Sequence, residues 1–385
     1  MIPYGRQNIN EEDIEAVNSV LKSDFLTQGP CVPAFEENLS TYCGAKHSVA
    51  VNSATSALHI ACLALDLGPG DSLWTSPNTF VASSNCALYC GAEVDFVDID
   101  SETFNICIEA LSKKLKLAKE TKTLPKVVIP VHLCGLPCDM KAIYKLSKEY
   151  DFKVIEDASH AIGSFYDGLP TGSCKYSDIT VFSFHPVKII TSGEGGAAVT
   201  NNQHLADKMM MLRTHGIINN NKMEKRCAQE LWNYQQIDLG FNYRMTDIQA
   251  ALVNNQLKRL NAFVKTRNSH AKVYQDALNS LPLDCQIISK NALSSFHLFV
   301  IRLQIDHIKL DHKEFYFEMQ KAGVGVNLHY IPVYRHPYYE MLGFEVGYCP
   351  EAEKYYHEAI SIPLFPDLQK QEQMLVINTL NKLAN

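Results

Sequence analysis

The sequence predicts an α/β protein with a mainly parallel central sheet and a smaller C-terminal α/β unit. Three observations lead there. Short β-rich runs, such as 127–132, 153–157 and 177–183, alternate with helix-length segments, the pattern of repeated βαβ units. Two of these runs end in polar residues: Asp157 closes one, and Ser183 then Lys188 follow the other. That is where an open α/β sheet gathers its chemistry. Beyond residue 250 a long helical pattern (Ile248, Leu252, Leu257, Leu260) leads into a stretch with no catalytic constellation of its own. The expected division is therefore 1–250 and 251–385.

At 385 residues the chain exceeds one ordinary domain and suits two. Hydrophobic residues at 46% and charged residues at 20% suit a soluble globular protein. A net charge of −7 argues against nucleic acid or an anionic membrane as the main partner. No apolar run is long enough to span a bilayer, and Met1-Ile-Pro-Tyr-Gly-Arg6 lacks a signal-peptide core. Twelve cysteines without a secretion signal read as reduced thiols, so a cytoplasmic location is expected. Cys86/Cys90 and Cys134/Cys138, with His132 near the second pair, come nearest to a zinc pattern. The further cluster a closed site needs does not follow, and no metal is expected.

Taken in order, Asn10 caps an acid-rich helix reaching about Lys22, and 26–30 is a turn. A second helix covers 35–42. Strand 47–52 runs through Ser53-Ala-Thr-Ser56 into an apolar helix over 58–65. Free amides at a helix start suit an anion, and small residues let it approach. No Walker lysine is present. Thr55 and Ser56 are the phosphate candidates, against the plainer reading of a capped helix. Strand 72–76, helix 81–90 and strand 94–99 follow. The lysine-rich 111–123 is a helix and loop with a solvated face. Strand 127–132, loop 133–139 and helix 140–150 lead to the two polar-ended strands. A strand ending at Thr200, a helix carrying the packing residues Met209 to Leu212, and a polar loop of Asn, Lys and Glu come next. Then a helix starts near Thr246. The last part reads as strand 296–303, helix 313–322, strand 325–330, a tyrosine-rich loop over 332–339, and a final helix capped by Asp367 and ending near Leu383.

An acid and a lysine at one sheet edge suit pyridoxal phosphate. The lysine binds the cofactor covalently, and the acid keeps the pyridinium nitrogen protonated. Glu194, set among glycines, reads as part of a tight turn rather than as a catalytic acid.

The spacing Glu-Asp157-Ala-Ser-His160, then Ser183-Phe-His-x-x-Lys188, then Gly-Glu194-Gly-Gly resembles the DegT/DnrJ/EryC1/StrS sugar aminotransferases over nearly the whole chain. The resemblance implies an aspartate aminotransferase-like, fold type I architecture and pyridoxal 5'-phosphate as cofactor. It implies a nucleotide-sugar substrate, L-glutamate as donor and a ping-pong cycle. The likeness is strongest to members that aminate UDP-linked 4-keto-6-deoxy-N-acetyl sugars for pseudaminic acid. Catalysis would rest on Lys188, Asp157 and His160, the last near the cofactor's phenolic oxygen. Phe80 would lie on the ring face, and Thr55, Ser56, Ser183 and Asn242 would complete the cofactor site. Gly-x-Asn242-x-Arg244 matches a family segment that reaches the neighbouring subunit's site, which implies a homodimer with shared active sites. Thr27, Gln28, Gly29, Arg244, His329 and Tyr330 are the implied substrate residues. His329 and Tyr330 read equally as strand-end residues at a domain interface. Related sugar 3-dehydratases carry histidine where Lys188 stands. Intact Asp157, Ser183 and Lys188 argue against a non-catalytic regulator.

Overall fold

In the computed structural model, which describes residues 1–219 and 232–385, the β-rich runs assemble into one seven-stranded sheet. Its strands are β1 (His47–Val51), β2 (Ser72–Thr75), β3 (Glu93–Phe96), β4 (Val127–Ile129) and β5 (Lys153–Asp157). A small ribbon, β6 (Phe165–Tyr166) and β7 (Leu169–Pro170), precedes β8 (Ile179–Ser183) and β9 (Gly196–Thr200). The sheet order is β1-β9-β8-β5-β4-β2-β3. The neighbours from β8 to β3 pair in parallel, and β9 runs antiparallel to both β8 and β1. The sheet is mainly parallel, as expected.

Side-chain alternation sends successive strand residues to opposite faces. In β8, Ile179 and Val181 join a cluster with α3 (Ala54–Ala64) and α4 (Ala82–Tyr89), while Phe182 faces a second cluster. That second cluster takes Phe35 and Leu39 from α2 (Cys31–Cys43) and Val253, Leu257 and Leu260 from the long helix Asp247–Leu278. Their spacing of three and four is the stripe of a core-facing helix. Asp13, on the helix Glu11–Leu21, is fully buried and accepts from Asn255 (2.8 Å) and Gln256 (2.7 Å), with Arg259 as ion partner. These contacts tie the first helix to the long one.

The last part of the chain forms a three-stranded antiparallel sheet of Leu283–Cys285, Phe299–Leu303 and Ala359–Ile362, with its own core. Ile2 belongs to that core: its N–H donates to Gly323 O (2.8 Å) and its carbonyl accepts from Gly325 N (2.7 Å). The start of the chain is thus sewn to its end, and a cut at residue 250 falls in the first turn of Asp247–Leu278.

Several boundaries differ from expectation for visible reasons. α3 starts at Ala54 because Ser53 caps it. The strand expected from 296 begins at Phe299, since the buried Arg267 guanidinium takes the carbonyls of Phe296 and His297 (both 3.2 Å). Over 325–330 only Asn327 bridges, to Ser361, so no strand forms. The tyrosine-rich loop contains two short helical pieces, Val333–Arg335 and Pro337–Glu340. Asp367 does not cap the last helix. It accepts from Asn8 (2.7 Å), and Gln369 with Glu372 forms the capping box of Lys370–Ala384. Residues 220–231 of the expected polar loop lie outside the described residues.

Gly196 marks the tightest junction. A Cβ there would lie 2.4 Å from Ala54 N and 2.5 Å from Ser53 C, and backbone cannot yield as a side chain can. Gly196→Ala is expected to lower stability by roughly 1–3 kcal/mol, read as a lower urea midpoint with an unchanged slope. A midpoint equal to wild type would contradict this packing.

Candidate active site

The cleft opens where β1, β5 and β8 end. At the first of these edges Ser53 caps α3, its Oγ accepting from Ser56 N–H (3.1 Å), and Ser56 Oγ donates to Asn52 Oδ1 (2.6 Å). The first-turn amides of Ala54 and Thr55 have no acceptor within the helix. Such a turn is an anion cradle, and Gly196 leaves β9 close behind it.

At the end of β5, Asp157 is 4% exposed. Ser83 Oγ donates to its Oδ2 (2.6 Å), and Ser159 N–H donates to its Oδ1 (3.0 Å). Both carboxylate oxygens are thus oriented before any ligand arrives. Glu156 points to the other face, toward His132 (2.8 Å), Thr180 (2.8 Å) and Ser177. Burial acts to raise its carboxyl, but hydrogen bonds from His132, Ser177 and Thr180 hold it below the usual range. His132, which the cysteine spacing had set beside a metal pattern, is engaged at both ring nitrogens: Nδ1 accepts from Cys138 N–H (3.1 Å), and Nε2 faces Glu156.

Beyond β8, Phe184 N–H donates to Gly195 O (2.9 Å), and Thr191 Oγ1 donates to Phe184 O (2.9 Å). These bonds close the loop that carries Lys188. Burial pushes the Lys188 ammonium down to about 8, with the Asp157 charge acting in the opposite sense. An amine in that range is still mainly ammonium at pH 7, but roughly a tenth of it is neutral, far more than for a solvated lysine.

The opposite wall comes largely from the C-terminal part, joined by Tyr4 from the start of the chain and His160 from beyond β5. His160 and His297 rings lie 4.4 Å apart, and the Tyr330 hydroxyl is 3.1 Å from His160 Nε2. Burial, then Lys188, lowers His329 to about 3. Its Nδ1 is 2.8 Å from Ser361 Oγ. Phe80 stands 61% exposed at the mouth, its ring 6.5 Å from that of Tyr330.

The cleft measures about 1190 Å³. It brings together Thr55, Ser56, Phe80, Asp157, His160 and Ser183 with Lys188, His329 and Tyr330, as the sequence suggested. It does not include Thr27, Gln28 or Gly29. That loop is wound around the start of the long helix, where Asp247 accepts from Gly29 N–H (2.8 Å) and Cys31 N–H (2.8 Å). Asn242 and Arg244 also lie outside this chain's cleft. Their backbones pair with Thr214 and Val51, and Asn242 O accepts from Asn52 (3.4 Å).

Sequence reading missed Ser83, the lining residues Tyr4 and His297, and Asn78, whose Oδ1 accepts Tyr330 N–H (3.0 Å). The helix and strand patterns of their segments were visible, but not what each side chain meets across the fold.

These residues fit pyridoxal phosphate. The donor set offers a reactive amine, an oriented acid and free helix amides. His160 Nδ1 is buried with no partner among the described residues, a polar atom that awaits a ligand or water. The fold and this lysine–acid site define a pyridoxal phosphate-dependent sugar aminotransferase. The chain belongs to the DegT/DnrJ/EryC1/StrS aminotransferase family, whose pattern matches residues 7–381. It is similar to a UDP-4-amino-4,6-dideoxy-N-acetyl-beta-L-altrosamine transaminase of Campylobacter jejuni, at 36% identity, covering 99% of this chain and 96% of that one. The fold matches a Helicobacter pylori aminotransferase involved in the biosynthesis of pseudoaminic acid, with a TM-score of 0.90, 29% identity and coverage of 100% and 99%. It also matches a putative sugar aminotransferase of Streptococcus pneumoniae solved in its PLP form, with a TM-score of 0.89, 28% identity and coverage of 100% and 98%.

The depressed Lys188 value sets a pH dependence. Only the neutral amine attacks an aldehyde. The rate at which cofactor-free protein captures pyridoxal phosphate should rise with pH through about 8 and then level off. Stopped-flow absorbance checks this. Lys188→Ala should remain folded, form no covalent adduct and lose transamination.

Proposed function

We propose that the chain transfers an amino group from L-glutamate to a UDP-linked 4-keto-6-deoxy-N-acetyl sugar, giving the 4-amino-β-L-altrosamine product used in pseudaminic acid biosynthesis. It would do so in the cytoplasm, as a homodimer with shared sites. The observation that carries the reaction type is the meeting of Lys188 and Asp157 in one cleft with an anion cradle beside them. Whole-length similarity to the Campylobacter transaminase supports the choice of sugar.

When bound, pyridoxal phosphate supplies an aldehyde for amine exchange and a ring that accepts electrons. The protein's part follows from its geometry. Amides at the start of α3, with Thr55, Ser56 and Ser183, would hold the phosphate. Phe80 would cover the ring face. The Asp157 carboxylate, fixed by Ser83 and Ser159, would hold the proton on the ring nitrogen. Lys188 would anchor the cofactor, then remove and return the proton at the reacting carbon, a task that suits an amine near neutrality. Donor and keto sugar would use the same cleft in turn. The unit 1–250 supplies Lys188 and Asp157, and 251–385 supplies His329 and Tyr330 as the sugar-facing wall. Asn242 and Arg244 would serve the second subunit, Asn242 at the phosphate and Arg244 at an anionic substrate group. The loop of Thr27, Gln28 and Gly29 would approach the sugar only as part of that assembly.

The substrate is tested with purified protein, pyridoxal phosphate, glutamate and two UDP-4-keto-6-deoxy-N-acetyl sugars, the L-arabino and D-xylo epimers. Mass spectrometry should show amination mainly of the L-arabino epimer. Preference for the D-xylo epimer would move the enzyme to a bacillosamine-type sugar, and turnover of neither would discard both substrates. Shared sites are tested by mixing inactive Lys188→Ala and Arg244→Ala proteins. Random re-pairing leaves one intact site in each mixed dimer, so roughly a quarter of wild-type activity should return. No recovery after subunit exchange would refute the sharing.

A further inference from the structure

His160 has one ring nitrogen engaged and one with no visible purpose. Nε2 lies 3.1 Å from the Tyr330 hydroxyl. Nδ1 is buried and without a partner among the described residues, and the residue as a whole is 5% exposed. Burial, reinforced by Lys188 and His329, keeps this imidazole uncharged. One nitrogen therefore donates and the other accepts. The nearest ring, His297, is kept neutral chiefly by burial, so it contributes no competing charge. Burial, then Cys134, Asp157 and Tyr4, keeps the Tyr330 phenol protonated.

Two neutral groups thus share one hydrogen bond, and acidity decides its direction. A phenol O–H is a much stronger acid than a neutral imidazole N–H, and an imidazole nitrogen is a better base than a phenol oxygen. The hydroxyl donates to Nε2, and the His160 proton must sit on Nδ1. Tyr330 is well placed to impose this. Its backbone N–H donates to Asn78 Oδ1 (3.0 Å), the preceding carbonyl, of His329, accepts from Tyr355 Oη (2.8 Å), and its ring lies 23° from parallel to the imidazole.

We infer that Tyr330 is a positioning residue that holds His160 as its Nδ1–H tautomer, so that His160 offers a buried N–H donor to an acceptor oxygen of the bound cofactor. The link to the cofactor rests on the reading of this cleft given above; the tautomer is a property of the protein alone. A buried donor left without an acceptor is costly, so binding that supplies one is favoured.

The test uses the cofactor-free full chain with isotope-labelled histidine and long-range proton–nitrogen correlation spectra. The His160 signal is assigned by its loss in His160→Gln. Between about pH 6 and about pH 8, wild-type His160 should show a protonated Nδ1 and a bare Nε2. Tyr330→Phe should move it toward Nε2–H. Spectrophotometric titration should also show pyridoxal phosphate bound about tenfold more weakly by Tyr330→Phe, the size of one lost hydrogen bond. A wild-type Nε2–H form, or a tautomer that Tyr330→Phe leaves unchanged, would overturn the inference. A shifted tautomer with unchanged cofactor affinity would overturn its link to the cofactor. Failure to aminate any keto sugar would count against the proposed substrate and leave the tautomer result standing.

Discussion

Bringing a buried acid and a half-buried lysine to one sheet edge is the constraint around which this molecule is arranged. An isolated buried charge costs several kcal/mol, so each group needs support that the other alone does not give. Asp157 receives it from Ser83 and Ser159. Lys188 answers burial by weakening its hold on the proton, opposed only in part by Asp157. The resulting amine gives up its proton more easily than a solvated lysine does. One physical cause, loss of water, thus produces the property the chemistry needs.

The strand alternation of β5 adds a second demand. Glu156 and Asp157 are adjacent, so they project to opposite faces and need two separate polar surroundings. Asp157 faces the cleft. Glu156 is met on the far side by His132, Ser177 and Thr180. That network neutralises a carboxylate that would otherwise be stranded beneath the site, and it holds the end of β5 from behind. The long helix makes a comparable use of its own acids and amides: Asp247 fixes the 26–31 turn, and Asn255, Gln256 and Arg259 converge on Asp13.

The far wall of the cleft is assembled from distant parts of the chain. Tyr4 comes from the start, His160 from the end of β5, and His297, His329 and Tyr330 from the C-terminal part. Their imidazoles are all kept uncharged, chiefly by burial. A neutral wall beside Lys188 adds no further positive charge to the cleft and leaves room for an anionic ligand.

By itself the sequence determined the class of fold, the strand ends at Asp157 and Ser183 with Lys188 beyond the second, and the small hydroxyl segment Ser53 to Ser56 between a strand and a helix, though not where that helix starts. Each of these is local: strand period, cap chemistry and the position of a polar residue after an apolar run are set within a few residues. Motif spacing extended that to a family and its cofactor. The tertiary structure alone decided the rest. Asp367 has the chemistry of a cap, yet Asn8 claims it from the other end of the chain. Thr27, Gln28 and Gly29 sit in a turn whose direction is set by Asp247. Ser83, Asn78 and His297 matter through what they face, and each partner is separated from them by dozens of residues. Local propensity cannot encode such pairings, because they exist only once the sheet and both cores have formed.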